Sequence, residues 1–114
     1  MNLSDLFEMS NIRKKESGLP VNIFVSSGGS INQQHGPRIK VMVDASDRFN
    51  ISDTVSVLLK QDITSADIVG YNTLPTNVLT QVREYINLNY SVLSDYWYDR
   101  ISTKEMILAL QPLQ

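Results

Sequence analysis

The sequence predicts an α+β fold: an antiparallel sheet of about four strands, covered by a long C-terminal helix, with short helices near both termini. Three observations lead to this prediction. Short β-branched segments alternate apolar and polar residues, polar turn-forming residues separate them, and one long later stretch repeats apolar residues at helical spacing. The length of 114 residues suits a single domain, 1–114.

Four segments have the composition of strands. They are Val21–Val25, Arg38–Val43, Thr54–Leu59 and Ile68–Tyr71. The separators 44–53 and 60–67 are rich in Asp and Ser, which favour turns, so neighbouring strands are expected to run antiparallel.

Strand alternation assigns the residues of these segments to two faces of the sheet. The inward face receives the β-branched residues, and the long helix is expected to cover it. The opposite face would carry Asn22, Phe24, Lys40 and Met42. Left uncovered, it would be a surface for a homo-oligomer or another protein partner.

Three helices are predicted. The first covers residues 3–12, with Ser4 as its cap and the basic run Arg13–Lys15 at its negative C-terminal end. The second begins at Pro75 or Thr76 and ends near Tyr98. Its apolar face comprises Val78, Val82, Tyr85, Ile86, Asn89, Leu93, Tyr96 and Trp97.

The third helix has a complete N-terminal signal. Ser102 and Glu105 have the spacing of a capping box, and Ile101 and Met106 that of a hydrophobic staple. Pro112 is expected to end it.

Composition excludes several classes of function. Without cysteine, disulfides, thiol nucleophiles and cysteine-ligated metals are ruled out. The N-terminal residues lack the pattern of a signal peptide, and no apolar run is long enough to span a membrane, so a cytoplasmic location is expected. A net charge of −2 and the scarcity of aromatic residues in the strands disfavour nucleic acid as a partner.

The segment Ser26–Pro37 joins two predicted strands and is much longer than a tight hairpin requires. Glycines flanked by serines allow successive N–H groups to turn toward an anion, and cationic side chains follow directly. No P-loop ending is present, and no helix follows, so a plain surface loop is the competing interpretation. The predicted ligand-binding residues are Ser27, Gly28, Gly29, Ser30, His35, Arg38 and Lys40.

No catalytic set is recognisable around His35, the single histidine. A histidine in catalysis needs a nucleophile and an orienting acid, and no motif places either near it. Neither a cofactor nor a metal site is predicted.

Four parts of the chain together resemble a known group of proteins. They are Gly18–Val21, His35–Arg38, Val82–Asn89 and Leu93–Trp97. Their order is similar to the domain-of-unknown-function family numbered 4160, small bacterial proteins often carried on mobile elements. The resemblance spans residues 18–98 and implies a histidine-bearing strand–loop–strand, a closing helix with a tryptophan and a bacterial or phage origin. The basic start of the second strand departs from that family's more histidine-rich pattern, and the family has no activity to carry over.

These observations predict a non-enzymatic accessory binding module that acts through protein contacts or captures a small anionic, nucleotide-like ligand. Two alternatives stay open. One is a small hydrolase or transferase that uses His35, and the other is an accessory protein associated with nucleic acid.

Overall fold

The computed structural model describes residues 9–27, 36–70 and 72–114. Its strands and helices are β1 (Met9–Ile12), α1 (Lys14–Ser17), β2 (Ile23–Ser26), β3 (Arg38–Met42), β4 (Thr54–Leu58), β5 (Ile68–Val69), α2 (Thr76–Trp97) and α3 (Thr103–Ala109). Short 3₁₀ turns at Ile51–Asp53 and Ser65–Asp67 precede β4 and β5.

The strands form one sheet in the order β1-β2-β3-β4-β5, and every neighbouring pair is antiparallel. The connections between consecutive strands are shorter than the roughly dozen residues that a parallel crossover needs, so each strand returns antiparallel beside the one before it. The predicted α+β class, with its long C-terminal helix and short helices near both ends, is confirmed.

The helix predicted over residues 3–12 is wrong for residues 9–12; residues 3–8 lie outside the described part of the chain. Met9–Ile12 is a strand, paired with β2 from Met9 opposite Ser26 to Ile12 opposite Ile23. Its burial alternates: Ile12 is buried while Met9 and Asn11 are exposed. A partner strand overrides local helix preference here, since it satisfies the backbone groups and buries alternate side chains.

The inner face of the sheet is covered by α2. All eight residues of its predicted apolar face are buried, and Leu79 joins them. The apolar residues of this stripe belong to the same buried cluster as the inward residues of the central strands, including Ile23, Val41 and Val57, which are 0% exposed. Burial of this helical stripe stabilises the fold chiefly by removing apolar surface from water.

The opposite, outer face is not open as expected. Asn22, Phe24 and Met42 are buried, with relative exposures of 1%, 4% and 1%. The connection between β3 and β4, residues 43–50, crosses this face. Its Phe49 ring meets Phe24 edge-on at a centroid distance of 5.4 Å. The prediction of an uncovered partner surface is therefore wrong at these three residues. A long connecting segment can cover the face of a sheet just as a helix can.

The capping box of α3 is confirmed. The Ser102 N–H donates to a Glu105 carboxylate oxygen at 2.9 Å, and the Glu105 N–H donates to the Ser102 hydroxyl at 3.1 Å. These hydrogen bonds lower the pKa of Glu105. The Met106 side chain, one residue further on, is completely buried.

Asn89 joins α2 to the C-terminal segment. It lies in the buried stripe, at a point where the helix kinks (φ −112°, ψ 16°). Its side-chain amide donates to the carbonyls of Tyr85 and Gln111, at 3.1 and 2.9 Å, and accepts from the Gln111 N–H at 2.8 Å. Both ends of the Asn89 amide are thus hydrogen-bonded, and the bonds to Gln111 attach the C-terminal segment to the helix.

We expect Asn89→Ala to lower the free energy of unfolding by about 1–3 kcal/mol, because it leaves backbone groups of the C-terminal segment without partners. Urea unfolding followed by circular dichroism measures the loss.

Asn87→Ala is the matched control, since Asn87 lies on the same helix but is exposed, and among the described residues its side chain bonds to Asp62 alone. It should cost clearly less than Asn89→Ala. An equal decrease in the free energy of unfolding for both variants would show that the buried Asn89 bonds stabilise the protein no more than the exposed Asn87 bonds do.

Candidate functional site

A pocket of about 500 Å³ lies at the end of the outer face where α1 begins. We call it the basic pocket. It is lined by Arg13, Lys14, Lys15, Asn22, Asp47 and Phe49. Three consecutive basic residues thus share one cavity with an aromatic ring and a single carboxylate.

The basic run lies at the start of α1, and not at the end of a helix as predicted. The chain turns from β1 into α1 because the Arg13 N–H donates to the Glu16 carboxylate at 2.8 Å. Gly18 ends α1 with a φ of +79°, which glycine adopts without strain. The backbone of Leu113 passes so close to Gly18 that an added Cβ would lie 2.4 Å from its carbonyl oxygen.

Asn22 connects the two walls of the basic pocket. Its side-chain oxygen accepts from the Lys14 N–H at 2.9 Å, and its NH₂ group donates to the Ser46 carbonyl at 3.2 Å. One wall is therefore α1 and the other is the 43–50 segment. Both meet at a buried amide, which is costly to desolvate unless both of its ends are bonded, as they are here.

Lys14 is the one basic residue of the pocket with an acidic partner in the described structure. Its ammonium lies 2.8 Å from an Asp47 carboxylate oxygen and also donates to the Ala45 carbonyl. The hydrogen bond from Lys14, followed by its charge, lowers the pKa of Asp47. Because the Asp47 side chain is 94% exposed, water screens this ion pair and its net stabilisation is small.

Arg13 and Lys15 are exposed and form no ion pair within the described residues. Phe49 supplies apolar surface beside them, and its own position is set by the contact with Phe24. Because these two cations line the same pocket as the ring, the pocket offers charge-assisted hydrogen bonds and a flat contact surface to one ligand.

A second pair of cations lies further along the outer face. Lys40 of β3 is directly opposite Phe24 of β2 and Ser56 of β4, and Arg38 precedes it on the same face. Neither cation has an acidic partner in the described part of the chain. Partial burial, and secondarily the charge of Arg38, lowers the pKa of Lys40.

The seven predicted site residues are only partly placed. Gly28, Gly29, Ser30 and His35 lie outside the described residues, so their predicted role stays a prediction. Ser27 is buried, at 6% exposure. Arg38 and Lys40 lie together on the outer face, as strand alternation predicted.

The sequence does not predict the basic pocket. It assigns Arg13–Lys15 to a helix end, with a small phosphate-binding patch beside Arg38 and Lys40 as the alternative, and it assigns Asn22 to an open face. A signal was nonetheless present in the sequence, since three consecutive basic residues are followed by a glycine and a proline within five positions. The glycine and proline indicate a turn directly after the basic residues, and a turn can bring their side chains close together.

No protein-family model matches the chain, and no curated protein or solved structure matches it significantly. Across residues 9–27, 36–70 and 72–114, no three His, Asp or Glu side chains are grouped as metal ligands would be. No helix in the same ranges is long and apolar enough to cross a membrane.

The environment of Lys40 has a consequence for the pH dependence of stability. Its folded pKa lies below the ordinary value of 10.5, so the unfolded chain binds more protons between the two values. Stability contributed by this site therefore rises as the pH increases through the folded pKa. We expect the free energy of unfolding of the wild type, relative to Lys40→Gln, to be greater at pH 10 than at pH 7.

Urea unfolding of both proteins at the two pH values measures this difference, and subtracting the variant removes the titration of the other groups. A difference that stays constant, or falls, between pH 7 and pH 10 would contradict the expectation.

Proposed function

We propose that this protein is a non-enzymatic accessory binding module that captures a small anionic, nucleotide-like ligand in the basic pocket. The observation that carries the proposal is that Arg13 and Lys15, which have no acidic partner within residues 9–27, 36–70 and 72–114, line one cavity with an aromatic ring. A volume of about 500 Å³ is within the range of pockets that enclose small molecules.

Between the two modes predicted from the sequence, the geometry favours ligand capture over protein contacts. The partner surface expected on the outer face is largely buried under residues 43–50. What is left accessible there is a concave pocket lined by three cations and one carboxylate, and this excess of positive charge attracts anionic ligands.

Isothermal titration with adenosine 5′-monophosphate tests the proposal. The double variant Arg13→Gln/Lys15→Gln should lower the affinity at least about ten-fold, since each cation provides a charge-assisted hydrogen bond to phosphate. The wild-type affinity should also fall as salt is added.

The control is Arg100→Gln/Lys104→Gln, which changes the net charge equally at the other end of the chain. It should bind like the wild type. If both double variants lose affinity to the same extent, the binding is a net-charge effect and the pocket is not the site; no binding by the wild type would refute the proposal.

In this proposal Asp47 competes with the ligand phosphate for Lys14, because its carboxylate forms an ion pair with the Lys14 ammonium. We expect Asp47→Asn to raise the affinity for adenosine 5′-monophosphate about two- to five-fold at low salt, as an exposed ion pair is weak and easily replaced. The gain should shrink at high salt.

Asp95→Asn provides the comparison, because Asp95 also forms an exposed ion pair, with Arg100 at 3.2 Å. It removes the same charge away from the pocket and should leave the affinity unchanged. An equal gain in both variants would argue against direct competition by Asp47.

A further inference from the structure

The basic pocket and the Arg38–Lys40 pair are connected through the Phe24–Phe49 contact. Phe49 lines the pocket and meets Phe24, and Phe24 lies directly opposite Lys40 in the register of β2 and β3. One aromatic pair is thus adjacent to both groups of cations.

The spacing of the two groups follows from strand geometry. Asn22, at the pocket, is two residues from Phe24 along the chain, and Lys40 is one strand further across the sheet. With about 3.3 Å per residue and about 4.8 Å between strands, the backbone positions of Asn22 and Lys40 are about 8 Å apart. Long cationic side chains at either end can therefore reach anionic groups on a single small molecule.

The charge pattern at Lys40 supports a ligand-binding role. Two cations on one strand face, without an acidic partner in the described structure, repel each other, and one of them is partly removed from water. Such an arrangement costs stability by itself, and an anion bound between the cations would relieve the repulsion.

Resting on the proposed function, we propose that the basic pocket and the Arg38–Lys40 pair form one extended site. Its ligand is a small molecule with two separate phosphate groups and an aromatic ring, of which a nucleoside 3′,5′-bisphosphate is an example, since its ribose joins the two phosphates and carries the base. Arg13 and Lys15 bind one phosphate, Arg38 and Lys40 bind the other, and the base lies against Phe49, the half-buried ring of the aromatic pair, since Phe24 is only 4% exposed.

The test compares three ligands by isothermal titration: adenosine 5′-monophosphate, adenosine 5′-diphosphate and adenosine 3′,5′-bisphosphate. The diphosphate controls for added charge, because both of its phosphates lie at one end. We expect the wild type to bind the bisphosphate at least ten-fold more tightly than either of the others.

Lys40→Gln should remove this preference by lowering the affinity for the bisphosphate about ten-fold, because it removes one of the two cations that bind the second phosphate. Lys104→Gln, which removes one exposed charge on α3, should keep the preference. The unfolding curve of Lys40→Gln shows in the same preparation that the variant is folded, so a loss of preference is not a loss of structure.

Equal affinity of the wild type for the diphosphate and the bisphosphate would overturn the extended site, as would a bisphosphate preference that survives in Lys40→Gln. In either case, the proposed function would still be supported if the protein binds the monophosphate and the Arg13→Gln/Lys15→Gln variant binds it more weakly. Absence of binding by all three ligands would reject both.

Discussion

The buried amide of Asn22 is the interaction on which the outer half of the structure depends. It holds the start of α1 through the Lys14 N–H and the 43–50 segment through the Ser46 carbonyl. Because both ends of the amide are satisfied at a position only 1% exposed, neither segment can move away without leaving a buried polar group unbonded. The placement of Phe49 over Phe24, and with it the wall of the basic pocket, depends on this junction.

Charge is distributed unevenly around this framework. Lys14 and Lys60 have carboxylate partners at 2.8 and 3.0 Å, whereas Arg13, Lys15, Arg38 and Lys40 have none within the described residues. The Lys14–Asp47 pair joins α1 to the 43–50 segment, and the Lys60–Asp67 pair joins the two ends of the connection between β4 and β5. Groups whose charges are not balanced nearby are candidates for ligand contacts.

Elements with strong local signals could be predicted from the sequence. The buried stripe of α2 was predicted residue by residue, since one helix face must be apolar to cover a sheet. The capping box of Ser102 and Glu105 was predicted because all of its partners lie within four residues. Residues 9–12 were wrongly predicted as helix, because their structure depends on β2, a partner distant in the chain.

For the site, the sequence by itself determined the chemistry: a basic run at 13–15, cations on one face of β3 and no recognisable catalytic set. It also placed Arg38 and Lys40 on a common face, because alternation along a strand is a local property. Only the tertiary structure decided that the outer face is also covered and which cations share a cavity with Phe49. The physical reason is that residues 43–50, which cover the outer face, contact residues far away in the sequence. A connecting segment has no periodic pattern of apolar residues from which its packing can be predicted.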